Sequence, residues 1–289
     1  MKQHTYNTQM LGVVTLYNPN AEVAIENIRC YIDNLDRLIV WDNSPLGKKL
    51  HDLILVALGS DSEKVVWYGD GTNYYIAHAI NYAWHYAVEH SFDLLLIMDQ
   101  DSKWENFAHY RQEISRLENC GNQCVYTPYI NGFDEWTIRA PIQPRSIFIN
   151  SGTVIPTVLL TAIEGADEDF PLDALDHALS YRIRRVGRQI ICITSCTLHH
   201  TIGQPRTSKW LHLTTKDYGR ERTYSITKSH ILCFRKHHDI MTTAEKVKFF
   251  RQALLSKFVR MLIVETDKAG RMKQFLLGIR DGLTYPLNK

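Results

Sequence analysis

Asp99 and Asp101 stand one residue apart at the end of an unbroken apolar run, Leu94-Leu95-Leu96-Ile97-Met98. Two carboxylates this close repel each other unless a proton or a cation lies between them. Oxygen ligands of this kind suit Mg2+ or Mn2+, and those ions favour phosphate oxygens in their remaining positions. The run is short, free of Gly and Pro, and ends in acids, so it reads as a buried parallel strand whose carboxyl end opens onto a crevice. Open α/β sheets bind ligands at that edge. The alternative is an acidic pair that caps the next helix or faces water.

The upstream elements must bring other polar groups to the same edge. Leu11 to Tyr17 is β-rich and stops at the turn Asn18-Pro19-Asn20, and Ala21 to Ile28 has helical spacing. A strand over Arg37 to Trp41 ends at Asp42-Asn43-Ser44-Pro45, and a helix follows around Leu50 to Leu58. Val65 to Tyr68 ends at Gly69-Asp70-Gly71-Thr72-Asn73, before a helix from Tyr75 to Glu89. The order β-α-β-α-β-α-β predicts an α/β fold with a parallel, doubly wound sheet. Asn18, Asp42, Asn73 and the Asp99/Asp101 pair then share one edge. Neither a G-x-G-x-x-G turn nor a G-x-x-x-x-G-K-S/T loop follows the first strand, which argues against the dinucleotide and P-loop classes.

Composition bounds the class. With 289 residues, 45% hydrophobic and 22% charged, the chain can bury a sizeable core. The expected division is a large α/β domain over residues 1–205 and a smaller helical region over 206–289. A formal net charge of +2 gives no reason to expect nucleic acid as partner. No apolar run approaches the roughly 18 residues of a bilayer span, and the N-terminus lacks the apolar core of a signal peptide. A cytoplasmic location and reduced cysteines are therefore expected. Cys120/Cys124 and Cys192/Cys196 have CxxxC spacing, for which zinc is the alternative to buried thiols.

Trp104 to Cys120 has a helical pattern and Cys124 to Ile130 a strand pattern, while Asp134 to Arg145 is polar and reads as an irregular rim. Ser146 to Pro156 is a strand interrupted by Asn150-Ser151-Gly152, either for close backbone approach to a ligand or as a bulge. A second acidic concentration lies in the segment from Glu164 to Arg182. His199-His200 precedes a glycine at Gly203 and can serve as metal ligand or phosphate donor. Arg220 to Lys228 is basic and aromatic, suited to a phosphate or to a solvated face. Ala244 to Val264 sets Val247, Phe250, Leu254, Phe258, Met261 and Leu262 at helical spacing among Lys and Arg. That stripe fits an anionic membrane surface, core docking or a homodimer.

The motifs Val13 to Pro19, Val40 to Ser44, Asn73 to Asn81 and Met98-Asp99-Gln100-Asp101-Ser102 together resemble the inverting family 2 nucleotide-sugar glycosyltransferases, within them the bacterial rhamnosyltransferase branch. The resemblance implies a GT-A fold, with Asp99, Gln100 and Asp101 as the D-x-D motif that holds Mg2+ or Mn2+ on the donor diphosphate. It implies that Asp42 hydrogen-bonds the pyrimidine base with Tyr17 nearby. Thr15, Asn18, Asn43 and Asn73 fall among the donor-binding residues, and Asn150, Ser151 and Gly152 line the sugar pocket. Against the family's F-I/L-D-x-V/L-D-x-E-x-x-x-R, the two Asp positions fall on Asp173 and Asp176, with Asp176 the general base, Asp173 the runner-up and Arg182 the Arg. His200 matches H-x-I/L-G and joins the metal or the diphosphate. Arg222, Tyr224 and Lys228 match a stretch that contacts phosphate or acceptor. Two departures stand out: Tyr75 where the family has Gly, and Ala178 where it has an acid. The implied reaction moves rhamnose from dTDP-L-rhamnose to a glycan or polyprenyl-diphosphate-linked acceptor. A nucleotidyltransferase and a non-catalytic sugar-nucleotide module are the rival readings.

Overall fold

Over its first hundred residues the chain alternates strand and helix as the apolar pattern predicts. The succession is β1 (Met10–Leu16), α1 (Ala21–Arg29), β2 (Arg37–Asp42), α2 (Leu50–Leu58), β3 (Val65–Tyr68), α3 (Tyr75–Glu89) and β4 (Leu94–Asp99). It continues with β5 (Ser102–Trp104), α4 (Phe107–Asn119), β6 (Val125–Asn131), β7 (Ile142–Arg145), β8 (Thr153–Pro156), α5 (Thr157–Ala162), α6 (Leu175–Arg185) and β9 (Ile190–His200). The structure, a computed structural model, describes residues 8–46, 50–121, 123–131, 134, 138–200, 206–207, 214–215, 218–265 and 267–287. It divides into two compact units, 1–201 and 202–289.

The first unit is α/β, built on a nine-stranded sheet in the order β3-β2-β1-β4-β8-β6-β9-β5, with β7 paired to β9. β1 to β4 are mutually parallel. β8 turns against β4, and β5 and β7 turn against β9, so the far half is mixed. Leu94 to Met98 are at most 1% exposed, because β4 lies between β1 and β8 and is covered by helices. On one face Ala24 and Ile28 of α1 join Phe107, Tyr110 and Ile114 of α4 against Leu96 and Met98. α3 packs on β1 and β4 and buries the small side chains Ala77, Ala83 and Ala87 along with Ile80.

Three local readings are corrected. The rim Asp134 to Arg145 contains a strand, β7, whose pairing with β9 outweighs the poor strand propensity of Pro144. Trp104 belongs to β5, and α4 begins after the Asn106 cap, whose Oδ1 accepts from His109 N–H at 3.1 Å. Of the stretch Ser146 to Pro156 only Thr153–Pro156 is strand. Gly152 has φ +79°, and a Cβ there would meet Leu198 at 2.8 Å and Pro128 at 2.9 Å.

The second unit pairs β10 (Arg206–Thr207) with β11 (Thr214–Thr215) and continues into α7 (Arg220–His237), α8 (Thr243–Phe249), α9 (Lys257–Ile263) and α10 (Lys268–Thr284). A π-helical stretch, Phe250–Ser256, joins α8 to α9. α10 lies so close on α7 that a Cβ at Gly278 would meet Tyr224 O at 2.8 Å, and one at Gly282 would meet Ile231 Cβ at 2.8 Å. Among the described residues no helix is long and apolar enough to cross a membrane.

Candidate active site

The strand register sets the site. Thr15 lies opposite Asp99 across the β1–β4 pair, and Leu16 lies opposite Asp42 across the β1–β2 pair. Asp42 and Asp99 are therefore separated by two strand spacings, about 10 Å, along one edge. Tyr17 and Asn18 follow β1 on the surface, and Asn18 takes a left-handed φ of 45° with its N–H donating to Ser44 Oγ at 2.8 Å. Asp42 Oδ1 accepts from Ser44 N–H at 2.9 Å.

Asp99, Asp101 and His200 converge, each offering a ligand atom within 4.8 Å of the others, and all three are partly exposed. Asp101 Oδ1 is 3.5 Å from His200 Nδ1. The chain distance is bridged by β5 and β9, whose register sets Ser102 directly opposite His200. Two carboxylates and one imidazole form a hard, oxygen-rich donor set that fits Mg2+ or Mn2+. Loss of solvation pushes the Asp99 carboxyl up to about 6; His200 opposes the rise, and the charges of Asp101 and Asp176 add to it. His199, the neighbour in the pair, turns instead to Glu105, with Nε2 and Oε1 2.6 Å apart.

Several expected donor-binding residues hold the scaffold. Gln100 contacts the Tyr17 main chain, and Asn27, buried on α1, donates to Gln100 O at 2.8 Å. Asn43 is buried: its Oδ1 accepts from Trp41 Nε1 at 3.1 Å and Tyr74 N–H at 2.9 Å, and its Nδ2 donates to Tyr75 O at 3.2 Å. Asn73 Oδ1 accepts from Tyr75 N–H at 2.9 Å. These bonds clamp Tyr75 in a left-handed conformation, φ +62°, the backbone region that glycine enters freely. Tyr75 is 45% exposed.

The segments expected to line the sugar pocket are tied to one another. Asp99 N–H donates to Ser151 Oγ at 3.2 Å, and Gly152 N–H donates to Ile97 O at 2.8 Å. Asn150 is 8% exposed, and its Oδ1 is buried without a hydrogen-bond partner. Asp173 is likewise 8% exposed, whereas the Asp176 carboxylate is more open and its Oδ1 accepts from His177 N–H at 2.8 Å. α6 is anchored by Ser180, whose Oγ donates to Asp176 O at 2.7 Å and accepts from Phe148 N–H at 3.1 Å. Arg182 donates to Ile163 O and to Gly165 O, closing the loop before the acidic segment.

Arg222, Tyr224 and Lys228 belong to the second unit and have partners within it. Arg222 lies 5.8 Å from the Tyr218 ring centre, Tyr224 Oη donates to Asp281 at 2.8 Å, and Lys228 Nζ lies 4.8 Å from the Tyr285 ring centre. Thr201 to Gly203, the rest of the His200 motif, lie outside the described residues. Sequence reasoning assigned no role to Ser102, Asn27 or Asn81. Asn81 holds the acidic loop by accepting from Ala166 N–H at 2.7 Å and donating to Ala166 O at 3.0 Å. An asparagine inside an apolar helix pattern was the available signal for Asn27 and Asn81.

No protein-family model matches the chain. It is similar to the curated dTDP-rhamnosyl transferase RfbF of Shigella flexneri, 23% identical and covering 96% of each chain. It is also similar to the solved mannosyltransferase PcManGT from Pyrobaculum calidifontis in complex with GDP-Man and Mn2+, with TM-score 0.55 and 13% identity over 98% of this chain and 77% of that one. S. aureus TarS 1-349 aligns with TM-score 0.58 and 13% identity, covering 96% of this chain and 81% of its own. GalNAc-T7 with UDP, GalNAc and Mn2+ aligns with TM-score 0.59 and 12% identity over 97% of this chain and 58% of its own. With the acidic group at the carboxyl edge of its sheet and similarity along its whole length, the chain has the GT-A fold, and the enzymes it resembles are glycosyltransferases.

Proposed function

We propose that the protein is a metal-dependent, inverting rhamnosyltransferase that uses dTDP-L-rhamnose and a bacterial surface glycan or polyprenyl-diphosphate-linked oligosaccharide. The observation that carries the reading is the convergence of Asp99, Asp101 and His200 at the edge where β1 ends beside Thr15 and β2 ends at Asp42. Similarity to a named dTDP-rhamnosyl transferase supports the choice of sugar nucleotide.

Asp99, Asp101 and His200 would hold Mg2+ or Mn2+, which when bound offsets the charge growing on the departing diphosphate. Asp42 accepts a hydrogen bond from the pyrimidine base, with Tyr17, Thr15, Asn18 and the loop held by Asn43, Asn73 and Gln100 shaping that end. The unpartnered Asn150 Oδ1 offers a buried acceptor to a sugar hydroxyl, with Ser151 and Gly152 beside it. The acceptor oxygen bonds to the anomeric carbon from the face opposite the diphosphate. Its proton passes to Asp176, and the bond to the diphosphate breaks with its electron pair. Asp176 is preferred to Asp173 because it is the more open of the two and its charge is felt at Asp99. Arg222, Tyr224 and Lys228 are the proposed phosphate or acceptor contacts of the second unit.

The run from Thr243 to Ile263 exposes Val247, Phe250, Leu255, Phe258, Leu262 and Ile263. Lys248, Arg251 and Arg260 are exposed along the same run. An apolar stripe edged with cations suits the cytoplasmic face of an anionic membrane, where a polyprenyl-linked acceptor is carried.

A panel of nucleotide sugars assayed with and without EDTA tests the reaction. Release of dTDP from dTDP-rhamnose that stops with EDTA is the expected result. Turnover of another donor instead removes the sugar assignment, and binding without turnover supports the non-catalytic module.

A further inference from the structure

We propose that Ser102 and Ser151 are positioning residues for His200, forming a buried hydroxyl relay that orients the imidazole and decides which of its nitrogens carries the proton. The inference rests on the reading of His200 as part of the metal–diphosphate site. Both serines are 0% exposed, so water does not compete for their hydroxyls. Asp99 N–H donates to Ser151 Oγ at 3.2 Å, Ser151 Oγ donates to Ser102 Oγ at 2.7 Å, and Ser102 Oγ is 2.7 Å from His200 Nδ1.

Each hydroxyl has one hydrogen to give. Ser151 gives its own to Ser102, so the Ser102 hydrogen is directed at Nδ1. The Asp101 carboxylate, 3.5 Å from Nδ1, pulls toward a proton on that nitrogen, but the Ser102 hydroxyl is closer at 2.7 Å and prevails, so Nδ1 is the acceptor and the neutral ring carries its proton on Nε2. The relay begins at the backbone of one metal-site carboxylate, passes the residue next to the other, and ends on the imidazole. It thereby links all three prospective ligands through two fully buried hydroxyls. A cation that takes the Nδ1 lone pair must turn the Ser102 hydrogen away. One that takes Nε2 must move the ring proton to Nδ1 and reverse the hydroxyls. Metal loading and the direction of the relay are coupled in either case, which is the part outer partners of a ligating histidine play.

The test uses the full chain with 15N-labelled histidine at pH 8, with the His200 ring signals assigned from His200→Asn. The metal-free protein should show the Nε2–H tautomer. Ser102→Ala should shift the ring nitrogens toward a tautomer average, and Ser151→Ala should shift them the same way by less. Mn2+ binding, followed by the paramagnetic resonance of free Mn2+, should weaken about 10- to 100-fold in Ser102→Ala. Native tautomer signals in both serine variants would overturn the relay, as would native Mn2+ affinity in both. Should Ser102→Ala not fold, Ser151→Ala decides alone, since it leaves the Ser102–His200 pair in place. Failure of the wild-type chain to bind Mn2+ would sink the metal reading, and the tautomer measurement would still judge the relay.

Discussion

Gln100 holds the main chain of Tyr17 from both sides: its Oε1 accepts the Tyr17 N–H at 2.7 Å, and its Nε2 donates to the Tyr17 carbonyl at 3.3 Å. The residue between the two acids thus acts as one more rung between β1 and the turn after β4, and Asp99 and Asp101 leave a backbone that is pinned. Gln100→Leu keeps the shape and removes both bonds. It should cost about 1–2 kcal/mol in urea unfolding and weaken Mn2+ binding about tenfold. Gln100→Glu, which keeps the acceptor, should fall between. Native metal affinity in Gln100→Leu would show that the pair does not set the carboxylates.

Metal affinity should depend on pH through Asp99, whose carboxyl is raised by lost solvation to about 6. Proton and cation compete for this group, so affinity should drop about tenfold per unit well below pH 6 and level off above it. The sign for metal-free stability is opposite. A folded-state value above the unfolded one, about 3.9, contributes stability that is full below pH 4 and lost as pH rises through 6. Mn2+ titrations from pH 5 to 8 on wild type and Asp99→Asn check this, and a break at pH 6 that persists in the variant would assign it elsewhere.

Asp176→Asn should bind donor as the native enzyme does and lose about 10² to 10⁴ in transfer rate. Asp173→Asn alters a buried group, so it should lower the unfolding temperature and leave transfer by the folded fraction within about tenfold. The reverse pattern would exchange the two assignments.

Tyr75 reverses the usual ranking of alanine and glycine. At φ +62° a Cβ is strained by about 1–2 kcal/mol, and glycine is not. Tyr75→Gly should therefore be more stable than Tyr75→Ala by about 1 kcal/mol in chemical denaturation. Equal stabilities would mean that the loop relaxes once the ring is gone.

The exposed stripe of the second unit makes a separate prediction. Phe250→Ser, Leu255→Ser and Phe258→Ser combined should leave a folded protein that sediments far less with vesicles of anionic lipid. Undiminished partitioning would assign the stripe to another partner.

How much of this was legible depended on how local each cause is. β4 was readable because burial on both faces requires an apolar run, and α3 because its alanines recur at helical spacing. Asp99, Asp101 and Asp42 were readable because strand ends in a parallel sheet share an edge. β7 was not, since Ile142-Gln143-Pro144-Arg145 carries little strand character and is held by β9. Ser102 was not, because its role depends on a cross-strand register with His200, 98 positions away. For Gln100 and Asn43 the sequence showed only that they follow strand ends, and the structure shows their amides bound to neighbouring main chain and to Trp41.

The first two free N–H groups inside α3, those of Ile76 and Ala77, both donate to Pro171 O, at 3.0 and 3.1 Å. The loop that carries Tyr75 and the loop that leads to Asp173 and Asp176 are consequently one mechanical piece. In chimeras built between relatives, residues 73–77 and 165–176 should be exchanged as a cassette. Importing either half alone would leave the proposed donor loop of one parent aligned to the proposed proton acceptor of the other.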